Sequence, residues 1–320
     1  MALIKQKATL LAVTACLSFS LSAQAAELEP YQRQSGVFGE LLSVGSDTLA
    51  GLTSAWLRAF QGYYPNIDAQ VQASGSSTAP PALIEQTAQL GPMSRPMRQK
   101  EIQAFVREHG YPPTELKIAI DAIGIFVNQD NLLKGLSFAQ VDALFSSTLR
   151  CKGVMPIERW AQLGVKGEWG LRNIQRFGRN SASGTYGYFK EHALCGGDFR
   201  LDVNEQPGSA SVVQSVASTI DGIGYSGVGY RVSGVRFLPI SQDGIHYVSP
   251  TRDNIINERY PLSRYLYLYI NKAPNKPLSP IMAQFIRYVY SIEGQAVVSK
   301  EGYVPISVKL AEQELNKVGL

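Results

Sequence analysis

The sequence predicts an α/β protein built of two lobes. Segments with the apolar periodicity of strands and of helices alternate along most of the chain, which is typical of largely parallel sheets covered by helices. Two apolar strand-like segments, residues 116–128 and 260–271, exceed the usual length of one strand, so each could cross between lobes. The length of 320 residues, with 45% hydrophobic and 18% charged residues, suits two domains with buried cores.

The first 25 residues have the pattern of a secretory signal peptide. Lys5 and Lys7 precede an apolar run over residues 8–21, and the small residues at 23 and 25 are typical of a cleavage site. Export is therefore expected, and it lowers the formal net charge from +4 to about +2. That charge is too small to indicate a nucleic-acid partner. Cys16 lies in a sequence that also resembles a lipoprotein processing box, and we keep lipid anchoring there as the alternative.

The first half of the chain is predicted to run mostly as alternating strands and helices. Apolar residues recur at helical spacing from Leu49 to Phe60, two adjacent prolines open the second helix, and Gly110 ends the third. Ser137 and Gln140 are spaced as a capping box. The predicted order is strand 41–44, helix 49–60, strand 67–73, helix 80–89, helix 99–109, strand 116–128 and helix 137–146.

The second half continues the alternation after a loop-like stretch. The predicted order is loop 151–171, strand 174–178, helix 209–219, strand 222–226, strand 260–271, helix 279–291 and helix 308–317. Residues 222–227, GIGYSG, match the dinucleotide fingerprint, but they follow a helix and precede strand-like sequence, so they predict a strand and a turn instead. Cys151 and Cys195 form an even pair in an exported chain and are expected to be bridged; two free thiols are the alternative.

Three polar, glycine-bearing segments each follow a predicted strand and precede a predicted helix. They cover residues 44–49, 73–81 and 178–189. Short hydroxyls can donate to an oxyanion, glycine permits a close backbone approach, and Arg179 can supply a pair of donors. A serine or threonine before a helix is most often an N-cap, but a cap needs no arginine. Together the segments predict a site for an oxyanion.

These segments resemble the periplasmic phosphate-binding proteins of high-affinity phosphate ABC transporters. The resemblance extends from residue 39 to residue 320 and rests on VGSDTL, ASGSS, LGPMSRP, IAIDAIGIFVN, the Arg-x-x-x-Ser-Gly-Thr of residues 179–185, and DGIGYSGVGY. It implies the type II periplasmic-binding-protein fold, with two α/β lobes joined by two crossing strands around a ligand cleft. The expected lobes are residues 37–119 with 264–320, and residues 120–263.

The resemblance also implies a function and a ligand set. The chain is expected to bind inorganic phosphate in the periplasm by hinge closure and to deliver it, without chemical conversion, to the membrane permease of an ABC transporter. We expect a monomer without a cofactor or metal. The implied phosphate ligands are Thr48, Leu49, Ser76, Ser94, Arg179, Ser183, Gly184 and Thr185.

Two positions depart from the pattern of several family members. Ser94 and Ser181 stand where those members carry aspartates, although other branches have Ser-Arg at the first position, as here with Arg95. A carboxylate accepts a protonated phosphate oxygen and repels sulfate, so another acid could substitute. Asp47 is the first candidate and Asp121 the second. The alternatives are a helix cap for Asp47, a backbone-bonded hinge carboxylate for Asp121, and an acid partner for Arg95.

Two other functions remain open from the sequence. A secreted phosphatase or phosphotransferase could use Thr48 or Ser183 as nucleophile, but it would need a base or a metal, and the sequence offers no obvious one. The same fold could also bind sulfate, arsenate or molybdate.

Overall fold

The computed structural model of the chain describes residues 27–320. The predicted signal peptide, and Cys16 with it, lie outside these residues. The strands are β1 (Gly39–Val44), β2 (Ile67–Gln72), β3 (Gly91–Met93), β4 (Thr114–Asn128), β5 (Leu136–Ser137), β6 (Gln175–Arg179), β7 (Val203–Gln206), β8 (Gly222–Gly227), β9 (Val235–Phe237), β10 (Ile240–Ser241) and β11 (Ser263–Ile270).

Helices follow most of the strands. They are α1 (Ala50–Tyr63), α2 (Ala79–Ile84), α3 (Gln99–His109), α4 (Phe138–Phe145), α5 (Glu168–Leu171), α6 (Gly184–Ala193), α7 (Ser209–Ser218), α8 (Arg252–Ile256), α9 (Pro280–Val289), α10 (Ile292–Lys300) and α11 (Val308–Val318). None of the helices within residues 27–320 combines the length and the apolar character that crossing a bilayer requires.

The predicted elements are confirmed in order, with differences in length. The helix predicted over residues 80–89 ends at Ile84, because Gln86 adopts a left-handed φ of 55° and the Thr87 amide turns back to the carbonyl of Ala82. The stretch 151–171 is mostly loop but contains α5. The predicted helix 279–291 is followed by α10, whose first turn is capped by the Ser291 hydroxyl.

The central sheet joins the two halves of the molecule. Its strand order is β3-β11-β4-β8-β6-β7, and β9 also pairs with β4. The first part of β4 pairs with β11, and its last residues, 123–128, pair with β8 and β9. The expectation of largely parallel sheets is wrong here, because β4 and β11 cross in opposite directions and make the middle of the sheet antiparallel. Two small parallel sheets, β1-β2 and β5-β10, complete the fold.

Each side of the crossing strands has its own apolar core. One main core combines residues between 31 and 119 with residues between 266 and 318, around Trp56 and Phe60. The other combines residues between 122 and 262 with Val304, around Trp160 and Phe145. Because each core is contiguous, the molecule has two lobes, as predicted.

Cys151 and Cys195 are bridged, as predicted, across 44 positions of the sequence. The bridge ties the loop after α4 to the C-terminal end of α6, whose N-terminus carries the Ser-Gly-Thr motif. Closing a loop of this size restricts the unfolded chain, and the chain-entropy relation gives a stabilisation of about 4 kcal/mol.

We therefore expect the C151A/C195A variant to lose about 4 kcal/mol of unfolding free energy in urea titrations. Reductant should shift the unfolding midpoint of the unmodified chain but leave that of the variant unchanged. Equal midpoints for the oxidised chain and the variant would contradict the prediction.

Candidate anion-binding site

Four helix N-termini converge between the lobes. The one-turn helices Asp47–Leu49 and Ser76–Thr78 lead into α1 and α2 on one side, while α6 and α7 begin on the other. The Ser77 amide donates to the carbonyl of Ala182 at 3.1 Å, which joins the two sides. Helix N-termini carry N–H groups without intrahelical acceptors and a partial positive charge. The arrangement therefore suits an anion.

The side chains of three buried serines form a cluster of hydroxyls on the α2 side of the cleft. The Ser46 Oγ donates to Ser94 Oγ at 3.1 Å, and Ser94 Oγ lies 3.3 Å from Ser76 Oγ. The Ser94 amide, just after β3, donates to Ser76 Oγ at 3.0 Å. Ser94 thus lies beside Ser76, another predicted ligand, and it brings a hydroxyl that can both donate and accept instead of a carboxylate.

Thr48 and Thr185 meet across the cleft. Their Oγ1 atoms are 2.9 Å apart, and both side chains are buried. The Leu49 amide, predicted as a ligand, donates to the Ser46 carbonyl at 3.2 Å. The structure therefore brings together the predicted residues of the first and third polar segments.

Ser183 caps α6. Its Oγ accepts from the amides of Thr185 at 3.1 Å and Tyr186 at 3.4 Å. These two bonds use the acceptor capacity of the hydroxyl, so its hydrogen remains for a further acceptor. Capping and anion contact are thus compatible at this residue.

Gly184 lets the backbone of α6 approach the serine side chains closely. A Cβ placed there would lie 2.3 Å from Ser76 Oγ and 2.6 Å from Ser94 Oγ. Contacts under 3.0 Å are not sustained by real Cβ atoms, so only glycine fits between α6 and the serines in this arrangement.

Arg179, at the end of β6, is 1% exposed and anchored on one side. Its Nη1 lies 2.8 Å from Asp47 Oδ2 and donates to Ser209 Oγ at 2.7 Å, and its Nη2 donates to the Pro207 carbonyl at 3.0 Å. Burial lowers the pKa of Arg179, and Asp47 opposes that shift. Its Nε has no partner among residues 27–320. In a guanidinium the Nε–H and one Nη2–H lie along one edge, and such an edge can bind two oxygens of an anion.

Asp47 reaches across the cleft and does not cap its own helix. Its Oδ2 accepts from the amide and hydroxyl of Ser209 at 2.9 and 3.0 Å, in addition to Arg179. Tyr230 Oη lies 3.0 Å from both the Asp47 and the Thr48 carbonyls, which share its single hydrogen. Asp47 therefore fixes the orientation of the Arg179 guanidinium.

A second buried arginine, Arg264 on β11, was missed by the sequence analysis. Its Nε and Nη2 donate to Asp121 Oδ2 at 3.1 and 2.8 Å, its Nη1 to the Ser94 carbonyl at 2.8 Å, and its Nη2 to Thr185 Oγ1 at 2.9 Å. Burial raises the pKa of Asp121, and Arg264 opposes that rise. The two residues face each other directly on β11 and β4. Asp121 and Arg264 carry opposite charges in the two long apolar strands, and this pattern could have predicted the pair.

Arg95 is engaged away from the other predicted ligands. Its Nη1 and Nη2 bind both carboxylate oxygens of Glu101, at 2.8 and 2.7 Å, and they also donate to the Pro96 carbonyl and Ser77 Oγ. Burial alone would raise the pKa of Glu101, but hydrogen bonds from Arg95 and the Arg98 amide bring it below its usual value. Arg95 thus has the acid partner that the sequence analysis kept as the alternative.

No group of three His, Cys, Asp or Glu side chains able to hold a metal ion occurs in the part of the chain that the structure describes.

Comparisons with known proteins identify the family of this chain. The profile of the PBP superfamily domain matches residues 30–293. The chain is 54% identical over 294 residues to the phosphate-binding protein PstS of Pseudomonas aeruginosa strain PAO1, covering 92% of this chain and 91% of that protein. It is 26% identical to the protein SphX of Synechococcus elongatus, covering 92% of this chain and 86% of the relative.

Two solved structures share the fold. One is a Clostridium perfringens protein described as a phosphate ABC transporter substrate-binding protein and solved with bound phosphate; it has a TM-score of 0.70, 25% identity, and coverage of 83% of this chain and 99% of that chain. The other, an ABC-type phosphate transport receptor from Vibrio cholerae, has a TM-score of 0.64, 20% identity, and coverage of 83% and 100%. The chain therefore belongs to the PBP superfamily and, within it, to the family of the phosphate-binding proteins PstS.

Proposed function

We propose that this chain binds inorganic phosphate in the cleft between its lobes and delivers it, chemically unchanged, to the permease of an ABC transporter. The observation that carries the proposal is the buried guanidinium of Arg179, whose Nε has no partner within residues 27–320, beside a cleft where threonine hydroxyls from both lobes meet. Charge-assisted hydrogen bonds to a dehydrated dianion are stronger in such a cleft than the same bonds would be in water. The kinship with phosphate-binding proteins supports the same ligand.

The proposed ligand set consists of donors from both lobes. Arg179 supplies its free edge, Ser183 its hydroxyl hydrogen, and Thr48 and Thr185 their hydroxyls. The amides of helix first turns add N–H donors. The full proposed set is Thr48, Leu49, Ser76, Ser94, Arg179, Ser183, Gly184 and Thr185, in which the Leu49 amide would exchange its 3.2 Å bond to the Ser46 carbonyl for the anion. We leave Arg95 and Asp121 out of direct contact, because Glu101 binds both Nη atoms of Arg95 and Arg264 binds Oδ2 of Asp121 with two donors.

We propose hinge closure as the delivery signal. The lobes are residues 37–119 with 264–320, and residues 120–263, and β4 and β11 form the hinge between them. Contacts across the cleft, such as those of Tyr230 with the backbone of Asp47 and Thr48, stabilise the closed form. The permease then recognises the closed form of an exported, monomeric protein whose signal peptide ends at residue 25.

We infer that neither candidate nucleophile, Thr48 or Ser183, catalyses phosphate-ester cleavage. Within residues 27–320, neither the Thr48 hydroxyl nor the Ser183 hydroxyl is hydrogen-bonded to a histidine or a carboxylate. A hydroxyl without a neighbouring base is a weak nucleophile. A chromogenic phosphate ester should therefore give no turnover with the pure protein; sustained turnover lost on Ser183→Ala would contradict this inference.

The proposed function is tested by titrating the phosphate-free mature protein with phosphate, sulfate, arsenate and molybdate. Phosphate is expected to give calorimetric binding and to raise the melting temperature, since a ligand that binds only the folded form stabilises it. A size-exclusion run with and without phosphate checks the monomer. Absence of both heat and stabilisation with phosphate would overturn the proposal, and a stronger response to another anion would reassign the ligand.

The Asp47→Asn variant tests whether this carboxylate orients Arg179 or accepts the protonated phosphate oxygen. Because Asp47 orients Arg179, we expect phosphate affinity to fall about tenfold while the ratio of phosphate to sulfate affinity stays unchanged. Competition titrations with sulfate measure that ratio. A variant that keeps its phosphate affinity but gains sulfate binding would instead make Asp47 the acceptor for the protonated phosphate oxygen.

A further inference from the structure

Arg264 is the only residue in the described part of the chain whose side chain bonds to a predicted ligand on each side of the cleft. It donates to the Ser94 carbonyl on one side and to Thr185 Oγ1 on the other, and it is anchored by Asp121 on the neighbouring strand. Four of its five N–H groups are thereby used. Its position on a crossing strand lets one rigid fork of donors contact both walls of the cleft.

The bond to Thr185 fixes the direction of that hydroxyl. A guanidinium only donates, so Thr185 Oγ1 must accept from Arg264. The hydroxyl hydrogen then points away from Arg264, toward Thr48 or toward an anion in the cleft. Thr185 is therefore held as a donor, which is the polarity that a deprotonated phosphate oxygen requires.

The pair of Arg264 with Asp121 adds no net charge to the cleft. Both side chains are buried, and the carboxylate oxygen that Arg264 binds is 2.8 Å from Nη2. A long-range charge effect is thus largely cancelled within the pair. What remains specific to the site is the orientation of Thr185 and of the Ser94 backbone.

We propose that Arg264 is a positioning residue for phosphate, which acts by holding the Thr185 hydroxyl as a donor toward the bound anion. The inference rests on the proposed function. It concerns a residue outside the ligand set implied by the family resemblance, in a chain where Ser94 and Ser181 supply no carboxylate.

The test is a mutant cycle on phosphate affinity, measured by calorimetry. Arg264→Met is combined with Asp121→Asn so that no unpaired carboxylate stays in the cleft, because replacing a whole buried pair is tolerated better than breaking it. Thr185→Val removes the hydroxyl while keeping the shape. We expect D121N/R264M to lower affinity about tenfold and T185V about thirtyfold, and the triple variant to stay within about threefold of T185V.

Arg176→Met is the matched control for loss of a buried, doubly paired arginine. Arg176 lies on β6, and its side-chain partners include Glu158, Asp202 and the carbonyls of Leu144 and Ile157, none of which belongs to the site. This variant should melt at a lower temperature yet bind phosphate within about twofold of the unmodified chain.

The measurements distinguish failure of the proposed function from failure of the proposed role of Arg264. Failure of the unmodified chain to bind phosphate would overturn the proposed function. If the unmodified chain binds phosphate, two results would overturn the role of Arg264 alone. One is an unchanged affinity in D121N/R264M, and the other is a triple variant in which the losses of D121N/R264M and T185V multiply. If D121N/R264M does not fold, Arg264→Lys replaces it, since lysine keeps the charge without the fork of donors; the same non-additivity with T185V is expected.

Discussion

Replacing Arg179 with alanine is expected to lower phosphate affinity by about 10²–10⁴-fold, because two charge-assisted hydrogen bonds of about 1.5–3 kcal/mol each are lost. The remaining Asp47 carboxylate would then face the anion without its partner, which adds repulsion to the loss. Calorimetric titration of the folded variant with phosphate gives the affinity directly. An affinity within threefold of the unmodified chain would show that the guanidinium does not contact the ligand.

Two further variants separate the causes of that loss. Combining Arg179→Ala with Asp47→Asn removes the unpaired carboxylate, so part of the affinity should return if repulsion contributes. Arg179→Lys keeps the charge but cannot present two donors on one edge, and it should bind more tightly than the alanine variant but well below the unmodified chain. Because Arg179 is buried, each variant is first compared with the unmodified chain for its melting temperature without phosphate.

Local sequence patterns sufficed for the elements that carry the polar segments. Glycine, hydroxyl residues and helical periodicity occur together at 44–49, 73–81 and 178–189, and the structure begins a helix within each of them. The two long apolar segments likewise gave β4 and β11 without any tertiary information. These features are determined by residues adjacent in the chain, so a single sequence contains them.

Features that depend on which strands pair could not be predicted in the same way. The Arg264–Asp121 pair requires the antiparallel register of β11 against β4, which aligns residues 143 positions apart. The short strands β3, β5, β7, β9 and β10 span two to four residues each, too few to show a period of two. The partner of Asp47 on α7 likewise depends on how the lobes meet.

The roles of single polar residues illustrate the same limit. The sequence presents anion contact and helix capping as alternatives for Ser183; the structure makes it the N-cap of α6, and a cap that accepts two amide bonds keeps its hydroxyl hydrogen for the anion contact that we propose. Arg95 follows a serine that lies in the site, yet its side chain turns to Glu101 on α3. Side-chain direction, and not position in a motif, decides which residue reaches the cleft.

Gly184→Ala is expected to weaken phosphate binding at least about a hundredfold by keeping the lobes apart, since apparent affinity falls with the fraction of molecules able to close. The new Cβ would lie 2.9 Å from Ser76 Cβ as well as against two serine hydroxyls, so rotation of the hydroxyls cannot relieve the contact. Alanine is a better helix former than glycine, so the phosphate-free protein should not lose stability. Small-angle scattering should show that phosphate compacts the unmodified chain but not the variant.

Gly187→Ala, one turn further along α6, is the matched control. A Cβ there would meet Arg98 Nη2 at 3.2 Å, the far end of an exposed side chain that can move aside, and Arg95 Cδ at 3.4 Å, which is ordinary van der Waals contact. Its phosphate affinity should therefore stay within about threefold of the unmodified chain, as expected for a substitution that creates no fixed clash. Equal affinities for the two alanine variants would mean that phosphate binding does not need the close approach of Gly184 to Ser76 and Ser94. The cleft would then hold its anion without the contact between α6 and these serines.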